Sequence, residues 1–211
     1  MAKKKVFAGP SIRRLPSYLN IIKLADARGY EHISGTNIAD ELQLEAIQVR
    51  KDLALTGAVG TPKRGYSVKE LIFSIERFLG WNIQTDAALI GAGCLGAALL
   101  GYEGFRKNGL KISLAFDNSK DRVGSTIHGV PVYHIDDVAE FIEQKNIKLA
   151  ILAVPSDKAQ QISDVLVQAG IKGIWNFTNT RLTIPDHVAV WKEDLSSGYA
   201  MLSYMMGYNG K

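Results

Sequence analysis

The first eighty residues place apolar side chains three or four positions apart, which is the spacing of amphipathic helices. A stripe of five such side chains predicts a first helix over 11–28: Ile12, Leu15, Leu19, Ile22 and Ala25. Thr36 is predicted to cap a short second helix, and the turn Gln43-Leu44 leads into a third helix over 45–55. A short helix, a tight turn and a longer helix together predict a helix-turn-helix.

The third helix is predicted to point Ile47 and Leu53 toward the core, with Leu55 as a further candidate. Four other side chains on this helix are then available to a DNA major groove, unless they form only a solvated helix face: Ala46, Gln48, Arg50 and Lys51. We therefore interpret the third helix as a DNA recognition helix.

A wing is predicted after the third helix. The stretch 57–68 holds two short β-capable pieces around a Pro/Gly turn, with Lys63 and Arg64 at the tip. These two cations would reach DNA phosphates or an adjacent minor groove. A closing amphipathic helix over 69–81 completes a predicted winged-helix DNA-binding domain over residues 1–80.

From residue 81 onward, short apolar runs alternate with helix-like segments, a pattern typical of a parallel sheet covered by helices. Strands are predicted over 86–90, 110–117, 130–133, 148–154, 171–177 and 188–191. Helices are predicted after the glycine-rich stretch, from Asp136 or Asp137, and from Ser156 or Asp157. The fold class is therefore α/β, with a Rossmann-like doubly wound domain over 81–193. An apolar terminal helix within 194–211 packs on its own domain or on a partner subunit.

Residues 91–96, Gly-Ala-Gly-Cys-Leu-Gly, form a Gly-x-Gly-x-x-Gly motif between a predicted strand and a predicted helix. Gly91 permits the turn, Gly93 lets backbone N–H groups approach a pyrophosphate, and Gly96 lets the helix pack closely on the strand. Asp117 ends the next strand 21 residues beyond Gly96, where a carboxylate binds a ribose diol. The motif in this context predicts an NAD or NADH site rather than a tight turn alone.

Charge separates the two halves of the chain. Residues 1–80 carry 13 Lys and Arg against 8 Asp and Glu, so the whole net charge of +4 lies in this half. Such asymmetry suggests an N-terminal module that meets a polyanion. The single cysteine, Cys94, cannot form an internal disulfide, and no apolar run reaches membrane-spanning length. Residues 1–5 are not followed by an apolar stretch of the kind found in signal peptides. We therefore expect a cytoplasmic protein without a membrane or metal partner.

On these residues the chain resembles the Rex family of redox-sensing transcriptional repressors over nearly its whole length. The motifs that carry the resemblance are Gln48-Val49-Arg50-Lys51-Asp52-Leu53, Gly65-Tyr66, the run 91–99 and Phe116-Asp117. The resemblance implies a homodimer that binds an inverted-repeat DNA operator, is favoured there by NAD⁺ and is released by NADH. It also implies a terminal helix exchanged between subunits, and no catalytic residue.

The resemblance assigns the cofactor site to ten positions: Gly91, Ala92, Gly93, Cys94, Leu95, Gly96, Tyr102, Asp117, Val154 and Pro155. Tyr102 matches an aromatic near the nicotinamide, and Asp194 matches an acid that takes part in switching. Arg13 is a further candidate DNA contact. Asn20 stands where some relatives carry an Arg that pairs with the acid matching Asp194. We therefore expect Arg13 or Arg14 to supply that cation, or a weaker coupling.

Two other functions are open to a chain with this glycine motif. A small NAD-dependent dehydrogenase is the first, but the four histidines form no recognisable catalytic arrangement and the DNA module would be unexplained: His32, His128, His134 and His187. A CoA-binding ligase subunit is the second. Asp117 argues against it, because a carboxylate fits a ribose diol and repels a ribose phosphate.

Overall fold

The computed structural model describes residues 9–208, which divide into two compact units between Ile83 and Gln84. The prediction that no signal segment is present concerns the lysine-rich start of the chain. That start lies outside the described residues.

The first unit is a small helical bundle with a two-stranded ribbon. Its elements are α1 (Gly9–Ala27), β1 (His32–Ile33), α2 (Gly35–Leu42), α3 (Ala46–Leu55), β2 (Tyr66–Ser67) and α4 (Val68–Leu79). The side chains of α1, α3 and α4 share one core, built from Leu15, Tyr18, Leu19, Ile22, Val49, Leu53, Leu71 and Ile75, all fully buried. The predicted helix-turn-helix, α2 followed by α3, is therefore held against α1 and α4.

Two local predictions in this unit are wrong. Ser34, rather than Thr36, caps α2: its hydroxyl accepts from Asn37 N at 3.0 Å, while Asn37 Oδ1 accepts from Ser34 N at 3.2 Å. This reciprocal pair places Thr36 inside the first turn. Ile47 and the further candidate Leu55 do not face the core but are 61% and 43% exposed, because α3 turns Val49 and Leu53 inward.

The wing is also simpler than predicted. β2 pairs antiparallel with β1, and not with a strand inside 57–65. The segment before β2 is closed by a single bridge, in which Thr61 N donates to Gly65 O at 2.7 Å and Gly65 N donates back at 2.9 Å. The wing is therefore a compact loop with a basic tip.

The second unit is a seven-stranded sheet with helices on both faces. Its strands are β3 (Thr85–Ile90), β4 (Leu110–Asp117), β5 (Thr126–Ile127), β6 (Val130–His134), β7 (Leu149–Leu152), β8 (Gly173–Asn176) and β9 (Ala189–Lys192). Its helices are α5 (Cys94–Leu100), α6 (Glu103–Lys107), α7 (Val138–Gln144), α8 (Ala159–Gln168) and α9 (Ser196–Met205). The strand order is β5-β6-β4-β3-β7-β8-β9, parallel except for β5. Without β5, this is the doubly wound order, with its reversal between β3 and β7.

Successive side chains of β3 point to opposite faces of this sheet. Ala88 and Ile90 contribute to the core that includes residues of α7 and α8, while Ala87 and Leu89 contribute to the core beside α5 and α6. Because all four side chains are fully buried, β3 is the central strand. The predicted cap of α8 by Ser156 or Asp157 is wrong, since α8 starts after Lys158 without a side-chain cap.

Candidate functional site

The glycine loop lies at the reversal of strand order, between the end of β3 and the start of α5. Gly91 has a φ of +95°, and a Cβ added there would collide with the backbone oxygen of Ala153 after β7. A Cβ at Gly96 would collide with the backbone oxygen of Gly91. Both glycines are therefore required by close approach, as the motif predicts.

Gly93 is different, because a Cβ added there would meet nothing within 4 Å. Its backbone borders open space at the N-cap of α5. The first helical hydrogen bond runs from Ala97 N to Gly93 O at 2.8 Å, so the amides of Cys94, Leu95 and Gly96 precede it. An open backbone concavity with such amides fits an anionic pyrophosphate.

Asp117, at the end of β4, is fixed to this loop. Its side chain is buried, with Oδ2 accepting from Ala92 N at 2.8 Å and Oδ1 accepting from Ser119 N at 2.8 Å. The backbone N–H of Ala92 is therefore occupied by a hydrogen bond within the protein. Arg122 Nη1 lies 3.4 Å from both carboxylate oxygens, a partner that spacing alone gave no reason to expect. With Arg122 counted, each carboxylate oxygen of Asp117 already accepts two hydrogen bonds, and the two from Arg122 are the longest of the four.

The other predicted cofactor positions lie around the same edge of the sheet. Val154 and Pro155 follow the carboxyl end of β7, and Val154 Cγ1 would lie 3.0 Å from a Cβ on Gly91. Tyr102 precedes α6 and is 60% exposed. Its ring lies over Gly104, where an added Cβ would come within 2.5 Å of the ring.

In the first unit, α3 carries a charged residue in its buried face. Asp52 is 3% exposed and accepts from Arg14 Nε at 2.7 Å, from Arg14 Nη2 at 3.0 Å and from the Tyr18 hydroxyl at 2.7 Å. Burial alone would raise the pKa of the Asp52 carboxyl, but hydrogen bonds led by that from Arg14 hold this pKa below its ordinary value of 3.8. Burial, followed by the hydrogen bond to Asp52, raises the pKa of Tyr18 to about 12. These contacts lock α1 to α3.

The same network includes one predicted DNA contact, Gln48, and one of the two cations expected for Asp194, Arg14. With its amide oxygen facing the guanidinium, Gln48 accepts from Arg14 Nη1 at 3.2 Å and from Nη2 at 3.1 Å. Arg14, one of the two cations expected for Asp194, thus binds Asp52 and Gln48. Arg13, the other option, is exposed on α1.

The remaining predicted DNA contacts lie at the surface of the first unit. Arg50 and Lys51 are exposed on α3, with Arg50 Nη2 at 3.5 Å from Thr36 Oγ1, while Ala46 is half-buried. Lys63 and Arg64 are exposed at the tip of the wing, where Lys63 has a φ of +63°.

Asp194 begins the terminal segment of the second unit. Its Oδ1 accepts from Ser196 N at 2.9 Å, and its backbone oxygen accepts from the Ser197 hydroxyl at 2.8 Å, so Asp194 shapes the start of α9. Most of α9 is exposed in this chain, including Tyr199 and Met205 at 73% and 75%.

Within residues 9–208, no helix combines the length and apolar character needed to cross a membrane. Over the same span, no cluster of His, Cys, Asp and Glu side chains is arranged to hold a metal ion. The second unit is a Rossmann-type domain with a dinucleotide-type glycine loop, and the first is a winged-helix module. A protein that joins these two is of the class of nucleotide-responsive DNA-binding proteins.

Comparisons with known proteins agree with this class. The family described as "CoA binding domain" matches residues 82–180, and the family described as "Putative DNA-binding protein N-terminus" matches residues 8–54. The redox-sensing transcriptional repressor Rex of Treponema denticola is 57% identical over 206 residues, covering 98% of each chain. The Rex protein of Bacteroides thetaiotaomicron is 38% identical, covering 95% of this chain and 91% of its own.

A solved structure of RSP with β-NAD⁺ and operator DNA matches with a TM-score of 0.89 at 34% identity, covering 97% of this chain and 94% of that one. The structure of RSP with β-NADH matches with a TM-score of 0.87 at 33% identity, covering 97% and 96%. The chain belongs to the Rex family of redox-sensing transcriptional repressors.

Proposed function

We propose that this chain is a transcriptional repressor that senses the ratio of NADH to NAD⁺. As a homodimer it binds an inverted-repeat DNA operator, and NADH releases it. The observation that carries the proposal is the joining, in one chain, of a basic helix-turn-helix to a glycine loop whose amide is fixed by Asp117. RSP, a relative of the same fold, was solved with NAD⁺ and operator DNA and with NADH. Such a regulator is not an enzyme and acts in the bacterial cytoplasm.

The residues of the second unit would hold the cofactor by backbone and carboxylate contacts. The amides that precede the first bond of α5 face the pyrophosphate, and Gly93 leaves room for it. Asp117 accepts hydrogen bonds from the ribose on the adenine side, which replace the long contacts from Arg122. Val154 and Pro155 border the nucleotide, and Tyr102 lies on the nicotinamide side.

The residues of the first unit would divide the work on DNA. Gln48 and Arg50 on α3 read base edges in the major groove, with Ala46 allowing close approach. Because its oxygen faces Arg14, Gln48 presents its amide N–H groups as donors. The cations Lys51, Lys63, Arg64 and Arg13 contact phosphates or the minor groove.

The signal in this proposal is charge. The nicotinamide ring is cationic when oxidised and neutral when reduced, so a carboxylate or aromatic face favours the oxidised form. Asp194 and Tyr102 are the residues that would sense this difference, with Arg13 or Arg14 as the cation for Asp194. A ligand shifts a two-state dimer only through its differential affinity for the two states. NADH must therefore bind the state that releases DNA more tightly than NAD⁺ does.

Selection of binding sites from random DNA duplexes tests the proposed function. With NAD⁺ present, the protein should enrich an inverted repeat, and NADH should abolish that enrichment. Coenzyme A in place of NADH should have no effect, because its ribose phosphate would be repelled at Asp117. No enriched sequence in any condition would contradict DNA binding. Turnover of a 2-hydroxy acid with NAD⁺ would favour a dehydrogenase instead.

A further inference from the structure

One carboxylate in the second unit binds two tryptophans and is not used by the proposed function. Glu193 Oε2 accepts from Trp175 Nε1 at 3.2 Å and from Trp191 Nε1 at 3.1 Å. The two tryptophans are register partners on the parallel strands β8 and β9. Glu193 is two residues beyond Trp191, on the same face of the sheet. One carboxylate thus joins the side chains of two strands; we call this group of three residues the indole clamp.

The indole clamp is located where the sheet ends and the terminal segment begins. Glu193 N donates to Asn176 O at 2.8 Å, which extends the pairing of β9 with β8 by one residue. The next residue is Asp194, whose carboxylate accepts from Ser196 N and so starts α9. Because a single peptide bond separates Glu193 from Asp194, fixing Glu193 on the sheet also fixes the backbone that carries Asp194.

A row of aromatic rings connects the indole clamp with the nicotinamide side of the proposed cofactor site. Tyr102 packs edge to face on Phe105, with ring centroids 4.8 Å apart, and Phe105 packs edge to face on Trp175, with centroids 5.4 Å apart. Such arrangements favour defined ring orientations. Trp175 is therefore held by Phe105 on one side and by Glu193 on the other.

We propose that Glu193 is a positioning residue of the redox switch. By accepting from both indoles, Glu193 fixes the position of Asp194 and of the start of α9 relative to Tyr102. A change of charge at the nicotinamide then changes the position of α9. Glu193 itself touches neither cofactor nor DNA in this scheme. The inference rests on the proposed function, because Glu193 can affect the coupling of NADH binding to DNA binding only if NADH controls DNA binding.

The test compares Glu193→Ala with Glu193→Gln and with Glu143→Ala, an exposed glutamate of α7 in the same unit. The amide oxygen of the glutamine in the second variant still accepts indole N–H groups, whereas alanine does not. The measured quantity is coupling, the ratio of operator dissociation constants with and without saturating NADH. Glu193→Ala should lower this ratio by at least about fivefold. Its affinities for NADH and for the operator without cofactor should be unchanged, and the other two variants should behave as wild type.

Tryptophan fluorescence supplies a readout of the indole clamp itself. The chain has three tryptophans, so a Trp81→Phe background leaves the two that Glu193 binds. In that background, Glu193→Ala should shift the emission and Glu143→Ala should not. Wild-type coupling or unshifted emission in Glu193→Ala would overturn the role of Glu193 while leaving the repressor function intact. A wild type that NADH does not release from DNA would instead contradict the proposed function, and the role of Glu193 with it.

Discussion

Replacing Asp52 by asparagine tests the contacts that lock α3 to α1. Asparagine keeps the shape of the side chain and one acceptor oxygen, but it loses the negative charge that accepts from Arg14 and Tyr18. Breaking a fully buried ion pair costs about 3–5 kcal/mol, and a hydrogen bond to a charged group contributes about 1.5–3 kcal/mol. Because the Arg14 side chain is 25% exposed, water partly solvates it when the pair is lost. We therefore expect the free energy of unfolding of the first unit to fall by about 2–3 kcal/mol.

Hydrogen exchange of backbone amides in α1 and α3 measures this change in the full chain. A loss of about 2–3 kcal/mol corresponds to exchange that is about 30- to 160-fold faster. Asp26→Asn, at an exposed aspartate of α1, is the matched control and should leave exchange unchanged. Because the folded-state pKa of Asp52 lies below 3.8, its stabilisation is present above that pH and is lost as the pH falls below it. The difference between Asp52→Asn and wild type should therefore shrink in acid. Equal amide exchange rates in Asp52→Asn and wild type at neutral pH would refute the reasoning.

Three further predictions concern the proposed sites. Asp117→Ala should lower the affinity for NADH and narrow the difference in affinity between NADH and NADPH, since the carboxylate accepts from the ribose and repels a 2′-phosphate. Equal affinity of the wild type for NADH and NADPH, measured by calorimetry, would contradict this. Arg64→Ala should weaken binding to all DNA sequences alike and lower the salt slope by about one; an unchanged slope means that the wing is not at the DNA. Cys94 is exposed at the start of α5, so saturating NADH should slow its alkylation; equal rates would mean that the cofactor does not cover it.

The strands and the glycine motif of the second unit were predictable because their signals are local. The run 110–117 alternates apolar and polar residues and ends in Asp117, and β4 has the same bounds. Buried apolar runs likewise predicted β3 and β7. Repeated strand and helix alternation predicted the doubly wound class of sheet, and the structure adds the order of the strands.

What sequence reasoning missed depends on residues far apart in the chain. The inward position of Asp52 could not be predicted from periodicity, because a buried carboxylate is stable only with Arg14, 38 residues away. The partner strand of β2 was misassigned because β2 pairs with β1, more than thirty residues earlier. The indole clamp at Glu193 likewise needs the pairing of β8 with β9.

The central claim is that the redox state of the nicotinamide decides whether the protein stays on DNA. The most direct measurement titrates the NADH/NAD⁺ ratio at constant total cofactor while operator occupancy is followed by fluorescence anisotropy. We expect occupancy to fall as the ratio rises, at unchanged protein concentration. The Asp194→Ala variant should need a higher ratio for release, or should not be released. Occupancy that is independent of the ratio in the wild type would contradict the account.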